Sequence, residues 1–219
     1  MKIFLDTAVV DEVREAAKYG VISGVTTNPS LAARAGVGGV EGYKAAVKEI
    51  ASIVDGPVSV EVLSLDAEGM VKQAEEFSKW AENVWIKLPS TPAGFEAMAR
   101  VVKAGIPVNQ TLCFSVNQAL IGGCIGVTVV SPFIGRLDDS GQNGMELVLD
   151  IKGIFESYCI ETRVLAASIR HPLHCVEAAK AGADIATIPY AVFKQMMNHP
   201  LTDAGMARFM QDWEKALKK

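Results

Sequence analysis

The amino-acid sequence predicts an α/β fold: a single (β/α)8 barrel, or TIM barrel, with an extra C-terminal helix. Short apolar strands alternate with helical stretches along the whole 219-residue chain. Such alternation, with nearly continuous apolar strands, is typical of a parallel sheet. Eight strand–helix units favour a closed barrel over an open doubly wound sheet. No Gly-x-Gly-x-x-Gly follows the first strand, which argues against a dinucleotide-binding fold.

Each predicted strand is a short, mainly apolar run that ends near a polar or turn-forming residue. The eight strands are Lys2–Asp6, Ile22–Thr26, Pro57–Glu61, Val84–Leu88, Pro107–Asn109, Val127–Pro132, Arg163–Ser168 and Asp184–Ile188. One α/β barrel ordinarily takes about 200–250 residues. We therefore expect residues 1–219 to form one domain.

Apolar residues three and four apart predict the helices between these strands. They are Val10–Tyr19, Ser30–Ala35 with Val40–Val54, Asp66–Trp80, Pro92–Ala104, Ser115–Gly122, Asp138–Tyr158 and His171–Ala181, and two more, Tyr190–Asn198 and Thr202–Lys219, follow the last strand. Pro29 and Pro172 suit first helical turns, where a missing N–H costs nothing. Asp138 and Asp139 are predicted to cap the helix that they begin.

The last predicted helix carries a stripe of large apolar side chains at helical spacing. The stripe consists of Met206, Phe209, Met210, Trp213 and Leu217. Packing on the barrel wall is the simpler interpretation of such a stripe. A terminal helix this apolar could also dock on a neighbouring subunit.

Composition favours a cytoplasmic protein without nucleic-acid or membrane partners. The net charge is −4, and both signs are spread along the chain, so no surface for polyanions is indicated. No apolar stretch reaches transmembrane length, and the start MKIFLDTA lacks the layout of a signal peptide. The four cysteines, Cys113, Cys124, Cys159 and Cys175, follow neither disulfide-framework nor zinc spacing. We expect them to be reduced thiols.

Polar side chains stand at or just after the ends of the predicted strands. In chain order they are Asp6, Thr26 and Asn28, Glu61, Lys87, Asn109 and Thr111, Ser131 and Arg136, and Ser168 and Arg170. Because the carboxyl ends of all barrel strands open on one face, these side chains are expected to meet at one mouth. Each alone is an ordinary cap or turn residue. Together they combine carboxylates, an amine, arginines and neutral hydrogen-bonding groups.

Lys87 has the most specific chemistry of this set. It follows Val-Trp-Ile and precedes Leu-Pro, so its amine is expected to project from an apolar sheet end into a cleft. A desolvated amine can stay neutral and attack a ketone to form a Schiff base, as in an aldolase-type enzyme. The alternative is a lysine that lies along the barrel rim with its charge in water.

The neighbouring groups suit cleavage of a carbon–carbon bond in a sugar phosphate. A carboxylate would take the proton from the hydroxyl beside that bond, and Arg136 and Arg170, with Ser168, would form a fork around a terminal phosphate. Asp6 and Glu61 also create a difficulty, because they favour ammonium in a lysine whose ordinary pKa is about 10.4. One solution is that Glu61 acts through a bound water, at some distance from the amine.

Two other functions fit parts of the sequence. His171 and His174 share a helix face, with Cys175 beside them, as ligands of a metal-dependent aldolase could. No third ligand is spaced to complete a zinc site, so no metal is predicted. A sugar-phosphate-binding barrel without catalysis would keep only the arginine fork. The intact acid–amine–carboxylate set argues against that alternative.

Six motifs, in one order, give the chain a family resemblance. They are Phe4-Leu5-Asp6-Thr7, Gly24-Val25-Thr26-Thr27-Asn28-Pro29-Ser30, Val84-Trp85-Ile86-Lys87-Leu88-Pro89, Asn109-Gln110-Thr111-Leu112, Ser131-Pro132-Phe133-Ile134-Gly135-Arg136 and Ala166-Ala167-Ser168-Ile169-Arg170. With them the chain resembles the short bacterial and archaeal transaldolases, in the transaldolase/fructose-6-phosphate aldolase family. The resemblance covers essentially the whole chain.

The resemblance implies an activity and four catalytic residues. Lys87 would form the Schiff base, Asp6 would exchange the proton of the sugar hydroxyl, and Glu61 and Thr111 would hold the water that relays protons. The family moves a dihydroxyacetone unit from sedoheptulose 7-phosphate to glyceraldehyde 3-phosphate in the pentose phosphate pathway. It needs no metal or organic cofactor. The subfamily also implies a homo-oligomer, a pentamer or decamer.

The resemblance implies binding residues for the two ends of the substrate as well. The dihydroxyacetone portion would contact Asn28, Asn109 and Ser131, with Thr26 and Phe133 completing the substrate site, and the phosphate would contact Arg136, Ser168 and Arg170. The related fructose-6-phosphate aldolases are expected to carry glutamine in place of Glu61 and tyrosine in place of Phe133. Both positions therefore favour transaldolase, with release of free dihydroxyacetone as the alternative.

Overall fold

A computed structural model describes residues 1–218, and within them eight parallel strands close into a barrel in chain order. The strands are β1 Lys2–Asp6, β2 Ile22–Thr26, β3 Val58–Glu61, β4 Val84–Pro89, β5 Val108–Cys113, β6 Val129–Pro132, β7 Arg163–Ala166 and β8 Ile185–Ile188. β8 pairs with β1, which leaves no free edge between these strands. The predicted (β/α)8 barrel is confirmed.

Helices connect successive strands and continue beyond β8. They are α1 Val10–Ala17, α2 Pro29–Arg34, α3 Gly39–Ile53, α4 Ala67–Phe77, α5 Pro92–Lys103, α6 Val116–Ile125, α7 Ile134–Asp139, α8 Gly144–Ser157, α9 Pro172–Lys180, α10 Tyr190–Met197 and α11 Pro200–Leu217. The predicted last helix, Thr202–Lys219, corresponds to α11, and Lys219 lies outside the described residues. Along residues 1–218, no helix is both long and apolar enough for a bilayer crossing.

The predicted helix Asp138–Tyr158 is wrong, because the chain turns in its middle and forms α7 and α8. Gly141 adopts φ 79° in the turn, and the Asn143 side chain accepts the Met145 N–H at 3.2 Å to begin α8. Asp138 therefore lies near the end of α7 and does not begin a long helix. Its carboxylate still accepts the N–H of Gly144, at 2.8 Å, so it supports the start of α8 from across the turn.

β5 runs to Cys113, four residues beyond the predicted end at Asn109. Leu88 pairs with Gln110 and Pro89 with Thr111, so polar residues continue the ladder. The apolar pattern alone could not reveal this extension. β7, in contrast, ends at Ala166, which leaves Ser168 in the loop that follows it.

The interior of the barrel is divided by polarity. A small apolar cluster fills its lower part, near the amino-terminal ends of the strands, and reaches up to the cavity at Ala167 and Phe133. It consists of Phe4, Val129, Leu165, Ala167 and Ile185, with Trp85 and Phe133 packed against it. Phe4 lies 6.2 Å from Trp85 between ring centroids. A Cβ on Gly24 would stand 2.7 Å from the Phe4 ring, so glycine is required there. With its lower part filled, the barrel leaves space at the carboxyl ends of the strands.

The apolar stripe of α11 does not pack on the barrel wall. None of the 18 residues of this helix is buried. Its large apolar side chains, Leu201, Met206, Phe209, Met210, Trp213 and Leu217, are each between 55% and 74% exposed. The prediction of wall packing is therefore wrong for this stripe.

Candidate active site

A cavity of about 470 Å³ opens at the carboxyl ends of the strands. Ten of the twelve predicted site residues line it: Asp6, Thr26, Asn28, Glu61, Lys87, Ser131, Phe133, Arg136, Ser168 and Arg170. Asn109 and Thr111 do not belong to its lining. The structure thus brings most of the predicted strand-end residues together at one mouth, as parallel barrel strands require.

Lys87 is a buried lysine, with only 4% of its surface exposed. Its Nζ lies 3.0 Å from Oε2 of Glu61 and donates to the carbonyl oxygen of Thr27 at 3.1 Å. Glu61 is its direct partner in the β3–β4 register, so the strands themselves set this contact. The two side chains are in direct contact, so the suggestion that Glu61 lies at some distance from the amine, behind a bound water, is wrong. A buried cation needs such partners to offset its lost hydration.

Two threonine hydroxyls, linked in series, hydrogen-bond to the Asp6 carboxylate. The Thr26 hydroxyl donates to Oδ1 of Asp6 at 2.6 Å and lies 2.6 Å from the hydroxyl of Thr187. Since the Thr26 proton is already used, the second bond is donated by Thr187. Burial raises the pKa of Asp6 above its ordinary value, although Lys87 and the Thr26 hydrogen bond act in the opposite direction. A carboxylate with a raised pKa is a stronger base than usual.

Asn109 lies behind the cavity and acts on it through Ser131. The Ser131 hydroxyl donates to Oδ1 of Asn109 at 2.6 Å, and Nδ2 of Asn109 donates to the Ser59 hydroxyl at 3.1 Å. This chain ties β3, β5 and β6 together and holds the Ser131 oxygen at the cavity wall. The Thr111 hydroxyl is buried and has no hydrogen-bond partner among residues 1–218.

Arg136 and Arg170, which follow the neighbouring strands β6 and β7, make one side of the mouth cationic. Arg136 stacks on Phe133, with its guanidinium carbon 5.0 Å from the ring centroid, and Phe133 packs edge-on against Phe114 at 5.7 Å. Arg170 donates to Oδ2 of Asp139 at 2.8 Å. Arg34, which was not predicted from the sequence, also lines the cavity. An incoming phosphate would compete with the Asp139 carboxylate for Arg170.

The backbone beside these arginines is held in an uncommon conformation. Ser168 has φ 62° and Leu112 has φ 54°, and both residues line the cavity. A Cβ on Gly135 would stand 2.0 Å from the Ser168 carbonyl oxygen, so the loop after β6 can approach that after β7 only through glycine. Non-glycine residues at positive φ each cost roughly 1–3 kcal/mol and cluster at functional sites.

His171 and His174, the residues of the metal alternative, support the loop that carries Arg170. Nδ1 of His174 accepts the Arg170 N–H at 3.3 Å, and Nε2 lies 3.0 Å from Oδ2 of Asp138. Burial, followed by the nearby His171, lowers the pKa of His174. A neutral ring that donates from Nε2 and accepts at Nδ1 fits both contacts. Nδ1 of His171 accepts the His174 N–H at 3.3 Å and caps α9.

Sequence reasoning missed four further polar residues of the site. They are Arg34, Tyr43, Ser59 and Thr187. Ser59 and Thr187 had a usable signal, because each is a polar residue within an apolar strand at a position that faces the barrel interior. Arg34 and Tyr43 lie on helices, where a polar side chain carries no comparable signal.

Comparison with known proteins finds similarity along the whole chain. A model of the family Transaldolase/Fructose-6-phosphate aldolase matches residues 3–219. A probable transaldolase of Dehalococcoides mccartyi is 53% identical over 219 residues. Probable transaldolases of Caldicellulosiruptor saccharolyticus and Methanococcus maripaludis are 54% and 52% identical over 220 and 219 residues. Each of these alignments covers 100% of both chains.

We predict that Asp6→Asn stabilises the fold while it removes activity. The folded state raises the pKa of Asp6, so ionisation of this carboxyl lowers stability as the pH rises from the unfolded pKa, about 3.9, through the folded one. The variant should unfold at a higher temperature than wild type at pH 7, and the difference should shrink near pH 4. If Asp6 serves as the general base of the reaction, turnover should also fall by about 10²–10⁴-fold.

Calorimetry at both pH values, with turnover assays beside it, measures these effects. Asp55→Asn, at an exposed carboxylate, is the matched control and should leave both stability and turnover near wild type. An Asp6→Asn protein that unfolds at a lower temperature than wild type at pH 7 would contradict the prediction.

Proposed function

Because this chain belongs to the transaldolase/fructose-6-phosphate aldolase family, we propose that it is a transaldolase that works through a Schiff base on Lys87. It would transfer a dihydroxyacetone unit from sedoheptulose 7-phosphate to glyceraldehyde 3-phosphate. The products would be erythrose 4-phosphate and fructose 6-phosphate, as in the pentose phosphate pathway. The observation that carries this proposal is the buried Lys87 amine, which faces the Glu61 carboxylate in a cavity that Asp6 also lines.

In the first step, the neutral Lys87 amine attacks the ketone carbon of the donor sugar. The carbonyl oxygen leaves as water, and the nitrogen becomes a positively charged iminium. Glu61 supports this step, because its carboxylate is 3.0 Å from Nζ and can take a proton from the ammonium. The same carboxylate can return a proton to the departing oxygen.

In the second step, the iminium draws electrons from the carbon–carbon bond that joins the carbon next to the iminium carbon to the following, hydroxyl-bearing carbon. Asp6 takes the proton of the hydroxyl on the far carbon of that bond, which becomes the aldehyde of the leaving aldose phosphate. The bonding pair moves toward the nitrogen and leaves an enamine of three carbons on Lys87. The raised pKa of Asp6 supports its role as this base.

In the third step, the enamine attacks the acceptor aldehyde, and Asp6 returns its proton to the new hydroxyl. Transfer requires that water or an acid does not first protonate the enamine carbon. Phe133 lines the cavity with a phenyl ring, which has no proton to donate. We therefore favour transaldolase over the release of free dihydroxyacetone.

The cationic side of the mouth would bind the phosphate of both donor and acceptor. Arg136 and Arg170 line it together with Ser168, and guanidinium groups suit phosphate oxygens in number and geometry. A phosphate held there would orient the sugar chain along the cavity, toward Lys87. Asn28 and Ser131, which also line the cavity, would bind the hydroxyls of the three-carbon unit.

We also propose that the enzyme is a homo-oligomer in which α11 docks on a neighbouring subunit. The exposed stripe of this helix supports the proposal, since soluble chains seldom leave contiguous apolar faces in water.

Sodium borohydride is predicted to trap a three-carbon fragment on Lys87 when fructose 6-phosphate is present. Borohydride reduces the carbon–nitrogen double bond between the fragment and Lys87 to a stable amine. Peptide mass mapping can then locate the modified lysine. Lys87→Arg should lose both trapping and turnover, while Lys44→Arg, a helix lysine beside Glu41, should keep both. Turnover without any modification of Lys87 would refute the mechanism, and ligand binding without exchange would indicate a binding protein.

The ratio of transfer to release is predicted to depend on Phe133. With fructose 6-phosphate alone, wild type should release little free dihydroxyacetone, and erythrose 4-phosphate should restore exchange. Phe133→Tyr should raise release about tenfold or more, because its phenol can protonate the enamine. Phe114→Tyr adds the same hydroxyl to a ring outside the cavity lining and serves as control. Fast release by wild type without acceptor would favour the aldolase.

Light scattering after size-exclusion chromatography is predicted to give a mass several times that of one chain. Trp213→Glu should reduce that mass, because it places a charge in the apolar stripe. Gln211→Glu adds the same charge at another exposed position of α11 and should leave the assembly intact. A monomeric wild-type protein would contradict the oligomer proposal.

A further inference from the structure

Tyr43 is a buried polar residue to which the proposed reaction assigns no role. It lies near the start of α3 with only 3% of its surface exposed, and it is not part of the cavity lining. Its ring packs edge-on against Trp80 at 5.7 Å and 84°. From this position the phenol oxygen reaches the ends of β2 and β3, on the side of the strands away from the cavity.

The phenol completes a hydrogen-bond chain in which every proton can be placed. The Thr27 hydroxyl donates to the Ser59 carbonyl at 2.8 Å, so its single proton is used. The Tyr43 phenol, 2.5 Å from the Thr27 hydroxyl oxygen, must therefore be the donor of that bond. In turn the phenol oxygen accepts the N–H of Glu61 at 3.3 Å.

The two residues that Tyr43 binds are the two that hold the Lys87 amine. The Thr27 carbonyl oxygen lies 3.1 Å from Nζ and the Glu61 carboxylate lies 3.0 Å from it. Thr27 follows β2 and Glu61 ends β3. The Tyr43 side chain of α3 thus bonds to both residues that supply the acceptors, from the side of the strands away from the cavity.

We propose that Tyr43 is a positioning residue whose phenol fixes Thr27 and Glu61 so that both acceptors converge on the Lys87 amine. This inference rests on the proposed Schiff-base function. The phenol does not touch substrate and acts only through its two partners. Its effect should therefore fall on the step in which the amine attacks the ketone, and little on the binding of the acceptor.

The chemistry of the phenol suits a fixed donor. Burial raises the pKa of Tyr43 to about 12, so it remains protonated across the working range of an enzyme. Without the phenol, the Glu61 N–H and the Thr27 hydroxyl oxygen would both lose a partner in a buried setting. Small displacements of reacting groups have large effects, since a misplacement of about 1 Å can cost about 10²-fold in rate.

Tyr43→Phe tests the inference, because it removes one oxygen and keeps the ring that packs on Trp80. We expect the rate of imine formation, measured by timed borohydride quenching in a single turnover, to fall about tenfold. The rate at which glyceraldehyde 3-phosphate consumes the preformed enamine, measured in the same way, should stay within about twofold of wild type.

Thr162→Val is the matched control for a merely structural loss. The Thr162 hydroxyl is buried and donates to the Val127 carbonyl at 2.7 Å. Val127 precedes β6 and Thr162 precedes β7, so this bond lies at the amino-terminal end of the barrel, opposite the cavity. Its removal should lower the unfolding temperature and leave imine formation unchanged. If Tyr43→Phe does not fold, Thr27→Val removes the middle hydroxyl of the chain, keeps the Thr27 carbonyl, and should slow imine formation in the same way.

The outcomes separate this inference from the function on which it rests. If wild type forms no trapped imine on Lys87, the proposed function fails. If wild type is trapped and Tyr43→Phe forms the imine at the wild-type rate, or if Thr162→Val slows the reaction as much, the positioning role of Tyr43 is overturned.

Discussion

The contact between the buried Lys87 amine and the Glu61 carboxylate is the constraint on which the rest of the site depends. An ammonium that is only 4% exposed loses most of its hydration, which costs several kcal/mol unless other groups replace the water. The barrel supplies the replacements through its register, since β3 places Glu61 opposite Lys87 and the chain after β2 brings the Thr27 carbonyl to the same nitrogen. A slip of one residue in β3 would turn Glu61 away from the interior and leave a buried charge unpaired.

The barrel interior is divided by polarity, and this contact lies in its polar part. The aromatic rings of Phe4 and Trp85 fill the lower part, where no polar group would find a partner. Above them, several side chains bond to a neighbour on another strand, as in the chain from Ser131 through Asn109 to Ser59 and in the bond from Thr26 to Asp6. Ser131 and Asp6, which face the cavity, are therefore held by neighbouring strands. Such bonds fix the positions of these two groups before a substrate binds.

The sequence predicts the strands well, because they are short, apolar and end in polar residues. Asp6, Glu61 and Lys87 follow from this pattern, and they lie within or beside the cavity as expected. The apolar pattern fails where pairing with a neighbouring strand extends a strand through polar residues. β5 continues through Gln110 and Thr111 because β4 pairs with them. Residues on helices, such as Tyr43, carry no strand-end signal, and only the folded chain shows that one reaches the back of the site.

The two carboxylates of the site meet opposite demands, and their surroundings separate them. The proposed reaction needs a neutral amine and a charged base at the same time, whereas carboxylates near a lysine favour ammonium. Glu61 lies 3.0 Å from the Lys87 nitrogen and is placed to exchange protons with it. Asp6 is bonded instead to the Thr26 hydroxyl, and burial raises its pKa despite the nearby amine. Once the iminium forms, its positive charge no longer depends on a titrating proton. It can then favour the charged form of Asp6 at the step where that base is needed.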